Sequence, residues 1–88
     1  MHLEFIKDYL AEDNPEAIIY DGVDDAIIGL VYQNHVPILA YSYSKWIDIL
    51  IERDGMTNEE AIEFFDFNVA GGHLGEHQPI IIYDMDLE

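Results

Sequence analysis

The spacing of hydrophobic residues along this 88-residue chain changes several times between helical and extended periods. Over 1–11, apolar side chains recur near i, i+3, i+4 and i+7, which predicts an amphipathic helix. Pro15 cannot continue a helical hydrogen-bond ladder, so we expect this helix to end before it. Helical spacing returns over 44–54 and over 57–68, which predicts two more helices.

Local signals mark the ends of the two later helices. Ser44 is the expected N-cap of the first, and Gly55 suits the left-handed conformation that closes it. The second begins with a capping box, in which Thr57 and Glu60 are expected to bond each other's backbone amides. The side chains that these helices are expected to bury are Trp46, Ile47, Leu50, Ile51, Ala61, Ile62, Phe64 and Phe65.

Extended spacing occupies most of the remaining chain. Three short strands are predicted within 17–42, the first of them over 17–20, and a final strand over 79–84. Separate groups of strands and helices are typical of an α+β fold. We expect a small antiparallel sheet of about four short strands, with two to three helices packed mainly on one face, in a single domain over 1–88.

The two middle strands form a predicted hairpin. Residues 26–32 are apolar at both alternations, which suits either a central strand covered on both faces or a tightly packed strand. A turn over 33–35 reverses the chain, since Asn34 tolerates a positive φ. Because Pro37 lacks an amide hydrogen, the returning strand over 36–41 is expected either at a sheet edge or with the proline at its start.

Charge narrows the range of partners. Nineteen residues are Asp or Glu and three are Lys or Arg, which gives a net charge of −16 at pH 7. Half of the residues are hydrophobic, so this acidity belongs to a folded domain and not to a disordered tail. A body this negative is repelled by nucleic acid and by anionic membranes. We therefore expect a basic protein as its partner, with no direct nucleic-acid or membrane contact, and self-association as an open alternative.

The sequence also bears on the cellular location. With no cysteine, the chain can form neither a disulfide nor a thiolate metal site. Its first residues lack the basic and apolar regions of a signal peptide. The longest apolar run, over 26–32, is far too short to span a bilayer. A soluble, cytoplasmic protein is the expectation.

One motif resembles a metal site. His73, Glu76 and His77 fit an H-x-x-E-H zinc pattern, which needs a helix so that both imidazoles can grip one ion. Glycines and Pro79 surround the motif and disfavour a helix. We interpret it as a polar loop and predict no cofactor. A loop zinc site made of the two imidazoles and the carboxylate is the weaker alternative.

Nothing in the sequence forms a catalytic constellation. An acid/base pair needs one carboxylate to be desolvated, but most acidic residues here fall on polar helix faces or in turns. No serine or cysteine has a nucleophile context, and no glycine-rich phosphate loop is present. We expect a protein that is not an enzyme, and a metal-dependent enzyme is the remotest of the alternatives.

The acidic residues do form rows at helical spacing. Asp48 and Glu52 are an i, i+4 pair, as are Glu59 and Glu63, and Asp66 lies three positions beyond. Such neighbours lie about 5–6 Å apart at Cβ, close to the step between phosphates, so a row can imitate a nucleic-acid strand. The predicted partner-binding residues are Asp21, Asp24, Asp25, Asp48, Glu52, Glu59, Glu63 and Asp66. An ordinary solvated surface is the alternative.

Three blocks of the chain carry a wider resemblance. They are YDGVDDAIIG over 20–29, ERDGMTxEEAxEFFxFN over 52–68 and GExxP over 75–79, where x marks positions outside the pattern. In combination they resemble a family of small acidic proteins from phages, prophages and other bacterial sources. The resemblance implies a phage or mobile-element origin and a bacterial cytoplasm, and it brings no assigned activity or site residues.

These observations favour one functional hypothesis. The chain is expected to be a non-enzymatic interaction protein that binds and inhibits a basic, nucleic-acid-binding host protein, with nucleic-acid mimicry as the mechanism. The alternative is a small structural or small-molecule-binding module whose acidity serves only solubility.

Overall fold

The fold is α+β, as the sequence predicts. In the computed structural model, which describes residues 3–72 and 74–85, three α-helices accompany a three-stranded sheet. The helices are α1 (Leu3–Asp13), α2 (Tyr43–Asp54) and α3 (Asn58–Phe65). The strands are β1 (Ile27–Gln33), β2 (Val36–Ser42) and β3 (Ile80–Ile82). A 3₁₀ turn over Asp24–Ala26 precedes β1, and a π-helical turn over Asp66–Ala70 continues α3.

The sheet is mixed and not antiparallel as expected. Its order is β1-β2-β3, with β1 antiparallel and β3 parallel to β2. The central strand is therefore β2, while β1 lies at an edge, so the central-strand alternative for the apolar run over 26–32 was wrong. Pairing of Ala40 with Ile80 fills the side of β2 that the hairpin leaves open. Pro37 lies at the second position of β2, which confirms the alternative that placed it at a strand start.

The predicted strand over 17–20 is absent. The amide of Ile18 donates to the carbonyl of His77 at 3.2 Å, and the amide of Tyr20 donates to the hydroxyl of Tyr41 at 3.0 Å. A strand needs successive backbone pairs with one neighbour, and here one amide is satisfied by a side chain. The segment therefore forms no strand of the sheet. The final strand is also shorter than predicted, because β3 covers only 80–82 of the expected 79–84.

The hairpin turn is confirmed and is tighter than expected. Gln33 pairs with Val36, which leaves a two-residue turn. Asn34 and His35 have φ of 55° and 69°, the left-handed pair of a type I′ turn, whose twist matches that of the strands. A bulge at Ile28 shifts the register between Ile27 and Gly29 at the other end of β1.

Two of the three signals predicted at the ends of α2 and α3 are correct. Gly55 closes α2 with φ of 72°, and α3 begins with the capping box of Thr57 and Glu60, at 2.8 and 3.1 Å. The N-cap of α2 is Ser42 and not Ser44. The Ser42 hydroxyl accepts from the amide of Lys45 at 3.1 Å, because the helix begins directly at the end of β2.

The core forms where the helices cover the sheet. Tyr41 of β2 is fully buried, and its ring centroid lies 5.1 Å from that of Trp46, which in turn lies 5.2 Å from that of Phe65. Tyr20 packs edge-on against the same Trp46 ring, at 5.0 Å. Burial of Trp46 and Phe65 is thus confirmed. Burial of Phe64 was wrong, because its side chain is 41% exposed.

Candidate acidic interaction surface

The predicted partner-binding acids are largely accessible. Seven of the eight are exposed, and Asp24 is half-buried. Asp24 also forms an ion pair, with its Oδ2 2.7 Å from Nζ of Lys7. Within residues 3–72 and 74–85, the other predicted acids have no cationic partner. Their charge therefore faces solvent without local compensation.

The fold gathers three of these acids beside α2. Asp24 and Asp25 lie on the 3₁₀ turn, which packs against α2 so that both line one depression with Glu52. Arg53 lines the same depression and reduces its negative charge. Its guanidinium donates to the carbonyl of Gly22 and to both carboxylate oxygens of Asp54. That hydrogen bonding lowers the pKa of the Asp54 carboxyl below its usual range.

A second group lies on α3 and the π-helical turn. Glu63 and Asp66 line a depression together with Glu60 and two phenylalanines, Phe64 and Phe67. We call these five residues the acidic–aromatic face. All of the residues lining this depression come from one helical segment, so it is an open surface and not an enclosed cavity. Asn68 stabilises the turn by donating from its amide to the carbonyl of Phe64 at 3.1 Å.

The remaining predicted acids do not join either group. Asp48 lines a separate depression with Asn58 and Ile62, between α2 and α3, although it shares a helix with Glu52. Glu59 and Asp21 are exposed but line none of these depressions. Asp48 and Glu52 therefore border different depressions, although both are exposed on α2 at i, i+4 spacing.

Sequence reasoning missed two features of this surface. Phe64 was expected in the core, yet it lies beside Phe67 on the acidic–aromatic face. On α1, Glu4, Asp8 and Glu12 are exposed at i, i+4, i+8 spacing, which forms another acidic row. The same spacing rule that found Glu59 and Glu63 would have found this row. No spacing rule would have exposed Phe64, since its neighbour Phe65 is equally apolar.

The zinc motif falls partly outside the described residues, where His73 lies. Glu76 is exposed, and residues 74–77 form a loop and turn, which confirms the loop interpretation for that stretch. The Nδ1 of His77 accepts from the amide of Asn14 at 3.1 Å, and its Nε2 lies 2.9 Å from Glu16. Both ring nitrogens of His77 are thus engaged by protein groups. In the part of the chain described, no three His, Asp or Glu side chains are grouped to hold a metal ion.

Asn14 explains how His77 is fixed. Its side-chain amide, almost fully buried, also donates to the carbonyl of Pro37 at 2.9 Å. Because the amide nitrogen can only donate, Nδ1 of His77 is the acceptor in this contact, and Nε2 faces the Glu16 carboxylate. This network joins the end of α1 to β2 and to the segment before β3, which is a structural role.

Compared with protein family models, with curated proteins and with solved structures, the chain gives no match. Among the described residues, no helix is both long and apolar enough to cross a bilayer. The outstanding features of the described surface are its accessible carboxylates and three exposed phenylalanines, Phe5, Phe64 and Phe67.

Proposed function

We propose that this chain is a non-enzymatic interaction protein that binds and inhibits a basic, nucleic-acid-binding protein by presenting carboxylates in place of phosphates. The observation that carries the proposal is the set of exposed acids on α2, α3 and the turns beside them. Apart from Asp24, which pairs with Lys7, and Asp54, which pairs with Arg53, these acids have no cationic partner within the described residues. A rigid helix holds such charges at fixed spacing, and a cationic cleft is attracted to that arrangement.

The net charge of −16 supports the same class of partner. A field of this sign steers basic proteins towards the surface and raises the rate of encounter, more strongly at low salt. Binding at a nucleic-acid cleft would exclude the natural ligand, because both compete for the same lysines and arginines. The resemblance to phage-type acidic proteins favours a bacterial host protein in the cytoplasm as the target.

The test uses two charge-reversed variants with the same net charge. One carries Glu59→Lys, Glu63→Lys and Asp66→Lys on α3 and its π-helical turn. Glu60 is kept, because it completes the capping box. The matched control reverses the acidic row of α1 with Glu4→Lys, Asp8→Lys and Glu12→Lys.

Each protein is immobilised and exposed to bacterial lysate at low and at moderate salt, and retained proteins are then challenged with duplex DNA. We expect the parent and the α1 control to retain the same basic proteins, the α3 variant to lose them, and DNA to displace them. If all three proteins retained the same set of lysate proteins, the proposal would be contradicted. The alternative, in which the acidity serves only solubility, would then be favoured. Equal losses from both variants would show that net charge acts without a defined surface.

A further inference from the structure

The acidic–aromatic face exposes apolar surface that the core does not use. Phe67 is 86% exposed and Phe64 is 41% exposed. The opposite side of the same segment packs in the core, since Ala61, Phe65 and Val69 are buried at i, i+4, i+8 spacing. A second stripe, which includes both exposed rings, runs at i, i+3, i+4, i+7 spacing from Glu60. One helical segment therefore has a core side and an accessible aromatic side.

Carboxylates surround these rings. Glu63 and Asp66 line the same depression, are exposed, and have no ion-pair partner among the residues that the structure describes. Glu60 is less free, because its Oε1 accepts from the amide of Thr57 at 2.8 Å. A ligand at this face therefore meets two phenyl rings with two available carboxylates beside them.

Arginine is the side chain that matches both groups. Its planar guanidinium stacks on aromatic rings and also donates two parallel hydrogen bonds to a carboxylate. Lysine carries the same charge, but its ammonium is more strongly hydrated and cannot form the bidentate pair. We propose that the acidic–aromatic face docks an arginine-bearing segment of the basic partner, with guanidinium groups stacked on Phe64 and Phe67 and paired with Glu63 and Asp66. This inference rests on the proposed function and identifies the chemistry of its ligand.

Other occupants fit the face less well. A second copy of the chain, docked symmetrically through this face, would bring Glu63 and Asp66 against their own copies, and like charges oppose such a contact. Nucleobases can stack on phenyl rings, but the phosphates attached to them would approach the same carboxylates. A cationic protein segment is the occupant that the charge selects.

The chain supplies its own control for exposed phenylalanine. Phe5 on α1 is 69% exposed and is also flanked by acids, Glu4 and Asp8. Its ring already stacks on Tyr9, with centroids 6.3 Å apart. Substitution of Phe5 therefore removes a similar area of exposed aromatic surface at a place where we expect no docking.

The experiment measures binding of two labelled synthetic peptides, identical except that every cationic position is arginine in one and lysine in the other. Fluorescence anisotropy compares the parent with Phe67→Ala, Phe67→Leu, Phe5→Ala and the α3 charge-reversed variant. We expect the parent to prefer the arginine peptide. Phe67→Ala should lower the affinity for the arginine peptide about tenfold and remove the preference for arginine over lysine. This is the result expected when a stacked contact is lost at an interface anchor. Phe67→Leu should also lose the preference, because it keeps apolar area but lacks a ring, and Phe5→Ala should match the parent.

The outcomes separate this inference from the proposed function. Equal affinity of the parent for both peptides, or parent-like binding by Phe67→Ala, would overturn the arginine site. If the α3 charge-reversed variant still lost binding in that case, the proposed function would hold without an arginine-specific site. If that variant also bound as the parent does, or if neither peptide bound at low salt, both proposals would fail. If sedimentation showed that the parent is a dimer and that Phe67→Ala is a monomer, the face would instead be assigned to self-association.

Discussion

The hydroxyl of Ser42 donates to the carboxylate of Asp84, which is 42 positions further along the chain. The same hydroxyl accepts from the amide of Lys45, and the other Asp84 oxygen accepts from the amide of Ser44 at 2.9 Å. Asp84 thus acts as a second cap at the start of α2, where a negative charge also suits the helix dipole. This contact ties the segment after β3 to the helix that carries Asp48 and Glu52.

Replacement of Asp84 by asparagine should lower the free energy of unfolding at neutral pH. Burial opposes ionisation of Asp84, but hydrogen bonds from Ser42 and Ser44 outweigh it and lower the pKa of the carboxyl below its usual range. An ionised Asp84 therefore stabilises the fold above its unfolded-state pKa, and this contribution is lost as the pH falls through the lower folded-state pKa. Urea unfolding across acidic and neutral pH should show the difference between parent and variant shrinking in acid. Asp48→Asn, at an exposed acid of α2, should show no such loss at neutral pH, and equal losses in both variants would refute the cap.

The backbone conformation of His35 in the hairpin turn costs free energy that a substitution can remove. His35 adopts φ of 69° without the freedom of glycine, and a left-handed conformation costs an ordinary residue roughly 1–2 kcal/mol. His35→Gly should therefore raise the free energy of unfolding by about 1 kcal/mol, since Asn-Gly is a preferred pair for a type I′ turn. Thermal and urea unfolding measure the gain. His35→Ala is the control, and a comparable gain from it would indicate that the imidazole, and not the backbone, was unfavourable.

Tyr41 should make the fold sensitive to alkaline pH. Burial of the phenol raises the pKa of Tyr41 to about 12 from an ordinary value of 10.0. Its stabilising contribution is fully present below pH 10 and is lost as the pH rises through the folded-state value. Tyr41→Phe should be less stable at neutral pH by roughly 1 kcal/mol, because the amide of Tyr20 loses its acceptor. Unfolding measured between neutral and alkaline pH should show a steeper decline for the parent, and parallel curves would contradict the assignment.

Salt should stabilise this protein. At a net charge of −16, repulsion among carboxylates opposes the compact state, and added ions screen it. We expect the free energy of unfolding to rise from low to moderate ionic strength in urea melts. The variant with Glu4→Lys, Asp8→Lys and Glu12→Lys should show a shallower rise, because less repulsion remains to be screened. A flat profile for the parent would show that its charges are too well solvated to matter.

Features that depend on neighbouring residues were predictable from the sequence. The capping box of Thr57 and Glu60 and the turn at Asn34 depend on residues within three positions of each other, so their residue types identify them. The N-cap of α2 was misplaced by two residues, because both Ser42 and Ser44 have the required hydroxyl. Only the point where β2 ends selects between them.

Pairing between distant segments was not predictable in the same way. The apolar run over 26–32 has the composition of a central strand, yet β2 takes that place because β3 pairs with it from the far end of the chain. Similarly, 17–20 has the composition of a strand, but its amides find other acceptors at His77 and Tyr41. Hydrophobic spacing predicts that a segment will be buried, but it does not predict which other segment will pair with it.

The sequence by itself determined the α+β class, the acidity and the helical rows of carboxylates, because composition and local spacing are sufficient for each. The tertiary structure decided which apolar side chains of α3 remain accessible. Phe64 and Phe65 are equally hydrophobic neighbours, and the rotation of the helix against Trp46 and Tyr43 buries one ring and leaves the other partly exposed. That rotation depends on packing between segments far apart in the chain, and it places two exposed phenylalanines among the acids of the proposed binding face.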